Sequence, residues 1–251
     1  VSADGRIAAG TLSPKGTEIV VLEAADKPAA TWFVSEYPLV ILAWADQQLF
    51  VLETHGESGV APDLIAIDGA DEATLVRSGA GLLAVSPDGK TLLLDTLNPA
   101  TGLHEAVVVS SDNFEQIGVL RPREPDARLV VGRSEWSGAG ITATIWTDEE
   151  QRVAVFESEG KGYCVAQSIP LPKEVLFGLV HPRVDVKSGE ITGWARDSRV
   201  RPTPDGAFPA SPYLMVNCSI DRQTCTTESI GEAVGQVSRV FTRSATAEES
   251  E

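Results

Sequence analysis

The chain has 251 residues and a formal net charge of −16, from 20 Lys and Arg against 36 Asp and Glu. That length suits one large domain whose core needs no metal or disulfide framework, and 43% hydrophobic with 22% charged residues excludes a disordered or fibrous chain. So negative a charge repels nucleic-acid phosphates and anionic lipid headgroups, so neither a nucleic acid nor an anionic membrane surface is expected as a partner.

In chain order the sequence reads as short strands: runs of β-branched and large apolar residues bounded by Gly, Pro, Asp and Asn. No stretch sustains a helical apolar period, and no long helix is expected. The first group comprises Ile7–Leu12, Glu18–Leu22 and Thr31–Val34. Leu39–Trp44, Gln48–Leu52, Asp63–Ile67 and Thr74–Arg77 form the second, and Gly81–Val85, Thr91–Asp95, Ala106–Val109 and Gln116–Leu120 the third. Arg128–Val131, Ile141–Trp146, Arg152–Phe156 and Tyr163–Ala166 follow, then Glu174–Val180, Glu190–Trp194, Tyr213–Val216 and Thr226–Glu228.

The groups begin near residues 7, 39, 81, 128 and 174, and all but the first spacing match the ~40–50-residue period of a four-stranded propeller blade. An all-β propeller of five blades is expected over residues 1–243, followed by a disordered acidic tail at 244–251. The first group is one strand short, and Val237–Thr242 is expected to supply it, closing the ring by pairing of the N- and C-terminal strands. The rival fold, two β-sandwich modules, predicts a boundary near Arg121–Pro125.

Ser86-Pro87-Asp88-Gly89-Lys90-Thr91-Leu92, set between two apolar runs, resembles the blade turn of bacterial TolB-like and WD40-like β-propellers. Ser13-Pro14-Lys15-Gly16-Thr17 reads as a second, imperfect copy, while Asp148–Glu150 and Lys187–Glu190 take the corresponding turn in later groups without the motif. Physically this is turn chemistry: Pro presets φ, Asp accepts from the following amides, and Gly tolerates positive φ. The Gly-His and Trp-Asp dipeptides of eukaryotic WD40 repeats are absent.

Residues 197–212 contain four prolines and read as a long rim loop, with Arg199, Arg201 and Phe208 as candidate binding residues, because unusually long loops in compact folds are often functional. Trp136, in the polar stretch Ser134–Gly138, is the other aromatic expected in a loop, where it would meet a sugar or protein. Trp32, Trp44, Trp146 and Trp194 lie within strand runs and are expected to pack between blades.

Cys218 and Cys225 flank a short polar turn that reads as a hairpin, which places them opposite one another at disulfide reach. A disulfide between them implies an oxidising compartment, so the chain is expected to be secreted or anchored at a cell surface, its signal or anchor lying outside this sequence. Cys164 is expected to be a packing thiol. His55, His104 and His181 fall at strand ends or in loops, with no metal-ligand spacing between any two of them. No serine-hydrolase elbow, phosphate loop or calcium loop is present, so no catalytic residue, metal or cofactor is expected. The reading is a monomeric binding or scaffold domain that engages a protein or carbohydrate through rim loops. The alternative is a propeller hydrolase or lyase acting on a sugar or small metabolite at the central channel.

Overall fold

The structure, a computed structural model, describes residues 2, 4–13, 16–23, 27–45, 47–56, 61–69, 73–122, 128–137, 140–147, 149–159, 162–185, 187–201, 203–204 and 213–230. Within them the strand-forming runs become nineteen strands arranged as successive antiparallel meanders. The first has three strands: β1 (Ile7–Ser13), β2 (Gly16–Leu22) and β3 (Ala30–Ser35). The second is β4 (Leu39–Ala45), β5 (Gln48–Glu53), β6 (Asp63–Ile67) and β7 (Ala73–Ser78). The third is β8 (Ala80–Val85), β9 (Thr91–Leu97), β10 (His104–Ser110) and β11 (Gln116–Arg121). The fourth is β12 (Arg128–Ser137), β13 (Gly140–Trp146), β14 (Gln151–Glu159) and β15 (Gly162–Pro170). The last is β16 (Val175–Asp185), β17 (Glu190–Asp197), β18 (Tyr213–Ser219) and β19 (Thr224–Ser229).

The leading strands of consecutive meanders approach one another in series: β1 meets β4, β4 meets β8, β8 meets β12 and β12 meets β16. Strands so arranged about an axis, each leading outward into a meander, make a β-propeller. The third and fourth blades also touch at their outer edges. There β11 and β15 pair in parallel at Leu120↔Tyr163 and Arg121↔Cys164, merging the two into one eight-stranded sheet. Gly118 makes room for this seam: a Cβ there would stand 3.2 Å from the Tyr163 ring.

Apolar cores fill the spaces between blades, and strand alternation decides which core each residue joins. In β9, Leu92 and Leu94 pack toward the second blade while Leu93 packs toward the fourth. In β10, Val107 and Val109 face one way and Ala106 and Val108 the other. Phe50 and Leu49 divide likewise in β5, and Phe156 and Val155 in β14. Burial on both faces is why these strands read as continuous apolar runs rather than alternating ones.

Strand direction fixes the place of β1 in the first blade. The end of β3 lies beside the start of β4: the Ser35 hydroxyl donates to Glu53, and Thr54 N–H donates to Pro38 O at 3.0 Å. So β1, parallel to β3 in direction, runs opposite to β4, β8, β12 and β16. It takes the second-strand position, and the innermost strand of this blade is not among the described residues. Val237–Thr242, expected to fill that place, and the 244–251 tail lie outside the described residues.

The same logic gives the molecule two rims. A hairpin rim carries the turns β4–β5, β6–β7, β8–β9, β10–β11, β16–β17 and β18–β19. A crossover rim carries β5–β6, β9–β10, β13–β14, β17–β18 and the blade-to-blade links. Ser13 and Gly16, the paired ends of β1 and β2, lie on the crossover rim with Thr147 and Glu150, so the Ser13–Thr17 connection has its ends on that rim. Pro14 and Lys15 of that stretch lie outside the described residues. The connection is not equivalent to the Ser86–Thr91 turn, because β1 takes the second-strand position. The true counterpart of that turn is the β16–β17 connection. At β8–β9, Ser86 Oγ donates to Asp88 Oδ1 (2.6 Å), Lys90 N–H donates to the same carboxylate (3.1 Å) and Gly89 N–H donates to Ser86 O (2.9 Å). At β16–β17, Asp185 Oδ1 accepts from Lys187 N–H (2.9 Å) and Asp185 O from Gly189 N–H (2.9 Å). Both carboxyls are held below the usual range, Asp88 chiefly by the Ser86 hydroxyl and Asp185 chiefly by the Lys187 amide.

Two tryptophan expectations are corrected. Trp146 is the last residue of β13 and emerges at the crossover rim, 44% exposed, although Thr144 on the same face is buried. Trp194 lies half-buried on the face of the last blade turned away from the fourth, edge-on to Tyr213 of its own blade at 5.3 Å; among the described residues it does not join a core between blades. Trp32 and Trp44 do meet at the junction of the first two blades, 5.7 Å apart, with the Arg6 guanidinium over both rings at 5.5 and 4.8 Å.

Candidate functional site

Three groups of polar side chains gather where strands end at the rims or line the axis. On the crossover rim, β5 ends at Glu53, directly opposite Asp63, the first residue of β6. His55 lies two residues beyond Glu53, with Nε2 3.1 Å from Asp63 Oδ2 and its ring edge-on to Tyr37 at 4.7 Å. It lies in the loop after β5, as expected, yet its side chain is only 19% exposed, because the β3–β4 link folds Tyr37 over it. Among the described residues, Glu53, His55 and Asp63 are the one group of three such side chains whose ligand atoms lie within 4.8 Å of one another. Sequence spacing hid it, because the third member returns only after the β5–β6 loop.

Farther along the same rim, β17 ends at Asp197, whose side chain is 6% exposed. The long connection therefore starts at Ser198, one residue later than the proline pattern implied. Asp197 Oδ1 accepts from Arg199 Nε (2.9 Å) and Oδ2 from Arg199 Nη2 (2.8 Å), a bidentate pair. Those bonds hold the Asp197 carboxyl below its ordinary range and push the Arg199 guanidinium up. Beside them Glu174 accepts from the Thr227 hydroxyl at 2.9 Å. The arginine head remains 62% exposed, fixed in orientation and turned outward. Arg201 follows it, exposed.

The third group lines the axis on the innermost strands. His181 Nδ1 of β16 lies 3.3 Å from Glu135 Oε2 of β12. Here β16 slips register twice, with Phe177 at φ 60° and His181 at φ 47°, a conformation that side chains other than glycine rarely adopt. The cause is packing: Leu179 N–H reaches down to donate to buried Thr144 Oγ1 at 3.1 Å. Gly178 (φ 76°) must then pass so close that a Cβ would come within 2.4 Å of the threonine methyl. On the hairpin rim a small polar cleft between the second and third blades is lined by Ala45, Gln47, Gln48, Asp68, Ser111 and Asp112.

The residues singled out from sequence are thus dispersed. Arg199 and Arg201 share the crossover rim, and Phe208 lies outside the described residues. Trp136 is within β12 rather than in a loop. Its indole, half-buried, packs edge-on to Tyr163 at 6.1 Å against the core between the third and fourth blades. The reason is register: Trp136 pairs with Ile141, whose face is the inter-blade face. Cys218 and Cys225 are directly opposite in the β18–β19 hairpin and are disulfide-bonded, whereas Cys164, half-buried in β15, lies outside the disulfide.

No protein-family model matches the chain. Two curated relatives, both UDP-N-acetylmuramoylalanine–D-glutamate ligases, match in part: that of Paraburkholderia xenovorans is 30% identical over 162 residues, and that of Paraburkholderia phymatum 28% over 148. These stretches cover 54% and 49% of this chain but only 31% and 29% of the ligases. Among solved structures, TolB from Acinetobacter baumannii superposes with a TM-score of 0.51 at 13% identity, over 90% of this chain and 53% of that one. A prolyl endopeptidase gives 0.56 at 13% identity, over 89% of this chain and 33% of the enzyme. Continuous coverage of the blades at such low identity speaks to the fold alone, and the fold of this chain is that of a TolB-like β-propeller.

Proposed function

We propose that the chain is a binding or scaffold domain, lying outside the cytoplasm, that engages a protein or carbohydrate partner with its crossover rim. The observation that carries this reading is Arg199: a guanidinium locked by a bidentate bond to a nearly buried carboxylate yet left exposed, at the root of the longest connection in the chain. Such a head group loses little freedom on binding and presents its remaining donors to carboxylate, phosphate or sugar acceptors. The Cys218–Cys225 disulfide is compatible with an oxidising compartment.

The test is binding of the purified chain to defined panels of glycans and peptides, repeated with Arg199→Ala/Arg201→Ala. A ligand that loses at least tenfold in affinity supports the reading. Binding that survives in the double variant but fails with Asp112→Asn would move the site to the hairpin rim. The second reading, a hydrolase or lyase at the channel, is favoured by the His181–Glu135 pair on a strained strand. It requires turnover of a sugar or small metabolite that disappears in His181→Ala.

A further inference from the structure

We infer that Glu53, His55 and Asp63 form a binding site for a divalent transition cation, of which Zn²⁺ is the type. The ligand set is one imidazole and two carboxylates, a combination suited to zinc; magnesium and calcium favour oxygen-only shells of six or more ligands. Bonds of about 2.0–2.1 Å at tetrahedral angles place neighbouring ligand atoms about 3.3 Å apart. His55 Nε2 and Asp63 Oδ2 already stand 3.1 Å apart, and the atoms of all three residues fall within 4.8 Å of one another. A cation can therefore enter with side-chain adjustments alone, leaving a fourth position for water or a partner's donor.

The register supplies an independent reason for a cation. Glu53 and Asp63 are direct cross-strand partners, and like charges in that arrangement repel. The fold nonetheless holds them together. The Ser35 hydroxyl donates to Glu53, Thr54 N–H is tied to Pro38 O at 3.0 Å and Gly79 N–H to Pro62 O at 2.8 Å. Gly56, at φ 66°, turns the chain back immediately after His55, while Tyr37 holds the imidazole from its far side. A site whose ligands are fixed by strand ends and neighbouring packing is preorganised for its ion. The other two histidines offer less: His104 is 58% exposed beside Asp95, and exposed His181 faces the single carboxylate of Glu135.

The proposal does not depend on the partner of the crossover rim, and its test needs no partner. Titration of the metal-free chain with Zn²⁺ should show one saturable site per molecule. His55→Ala, Asp63→Asn and Glu53→Gln should each weaken it at least tenfold. With Cu²⁺ as probe, electron paramagnetic resonance should show coupling to one nitrogen, lost in His55→Ala and kept in His104→Ala and His181→Ala. His55→Asn, whose amide can still bond Asp63, guards against misfolding: it should melt like the parent chain and still lose the site. Unsaturable binding, or binding unchanged by His55→Ala or His55→Asn, would overturn the assignment.

Discussion

The blade β8–β11 and the blade β16–β19 have the same four-stranded meander but opposite surroundings. The former is covered on both faces, so Leu92-Leu93-Leu94 and Val107-Val108-Val109 are buried throughout. In the latter Val175, Leu179, Ile191, Ala195, Leu214, Val216 and Cys218 meet the core shared with the fourth blade. The other face carries Thr192, Trp194 and Met215 half-buried and Tyr213 exposed. One blade is held by a core on each face, the other by one core together with the Cys218–Cys225 disulfide, the Asp197–Arg199 pair and the Trp194–Tyr213 stack. Blades inside the ring are thus specified by hydrophobic continuity, and the end blade by one core with local cross-links.

The largest effect expected from this contrast lies in the doubly covered blade. Leu93→Ala should cost about 3–5 kcal/mol in urea unfolding, since a fully buried Leu leaves a cavity that flanking sheets cannot fill. A loss near the surface-substitution level of ~0.5 kcal/mol would mean that the inter-blade core is loose. Next comes the cross-link of the end blade. Cys218→Ser with Cys225→Ser releases a loop whose ends are 7 residues apart, for which loop-closure entropy gives about 2.5 kcal/mol. The comparison fails if this pair of changes destabilises more than Leu93→Ala.

Asp197 gives a smaller effect with a pH signature. Bonds from Arg199 keep its folded-state pKa below the ordinary aspartate range. Its contribution is therefore fully present above about pH 4 and is lost as the pH falls through the folded pKa. Asp197→Asn should lower stability at neutral pH and flatten the acid limb of a stability–pH curve. An unchanged acid limb would show that the pair is an ornament of the surface.

The blade rhythm was legible because each blade repeats strand lengths and turn residues, and periodic features survive without knowledge of partners. The disulfide was legible for a similar reason: Cys218 and Cys225 are close in sequence and symmetric about one turn. What escaped was long-range. The position of Ser13–Thr17 depended on which place β1 takes in its blade, which no local pattern states. Trp136 looked like a loop residue because Ser134, Glu135 and Ser137 are polar, yet β12 carries it against a core built from strands of two blades. His55 met Asp63 only through cross-strand pairing, and His181 met Glu135 across two blades. Pairs separated in this way are invisible to spacing rules.

The smallest expected effect isolates position at a strand end. Ile145 and Trp146 are adjacent in β13, yet Ile145 is fully buried between the third and fourth blades and Trp146 is 44% exposed. Large aromatic side chains remove more apolar area from water than isoleucine when buried, so composition alone ranks Trp146→Ala as the worse substitution. The strand reverses that order. Ile145→Ala should cost about 2–5 kcal/mol, whereas Trp146→Ala should stay within about 0.5 kcal/mol, as for surface positions away from special contacts. Equilibrium unfolding of the two variants decides it. If Trp146→Ala proved the more damaging, the register Trp146↔Gln151 and Ile145↔Arg152 would have to slip so that Trp146 paired farther inside the strand, off the rim.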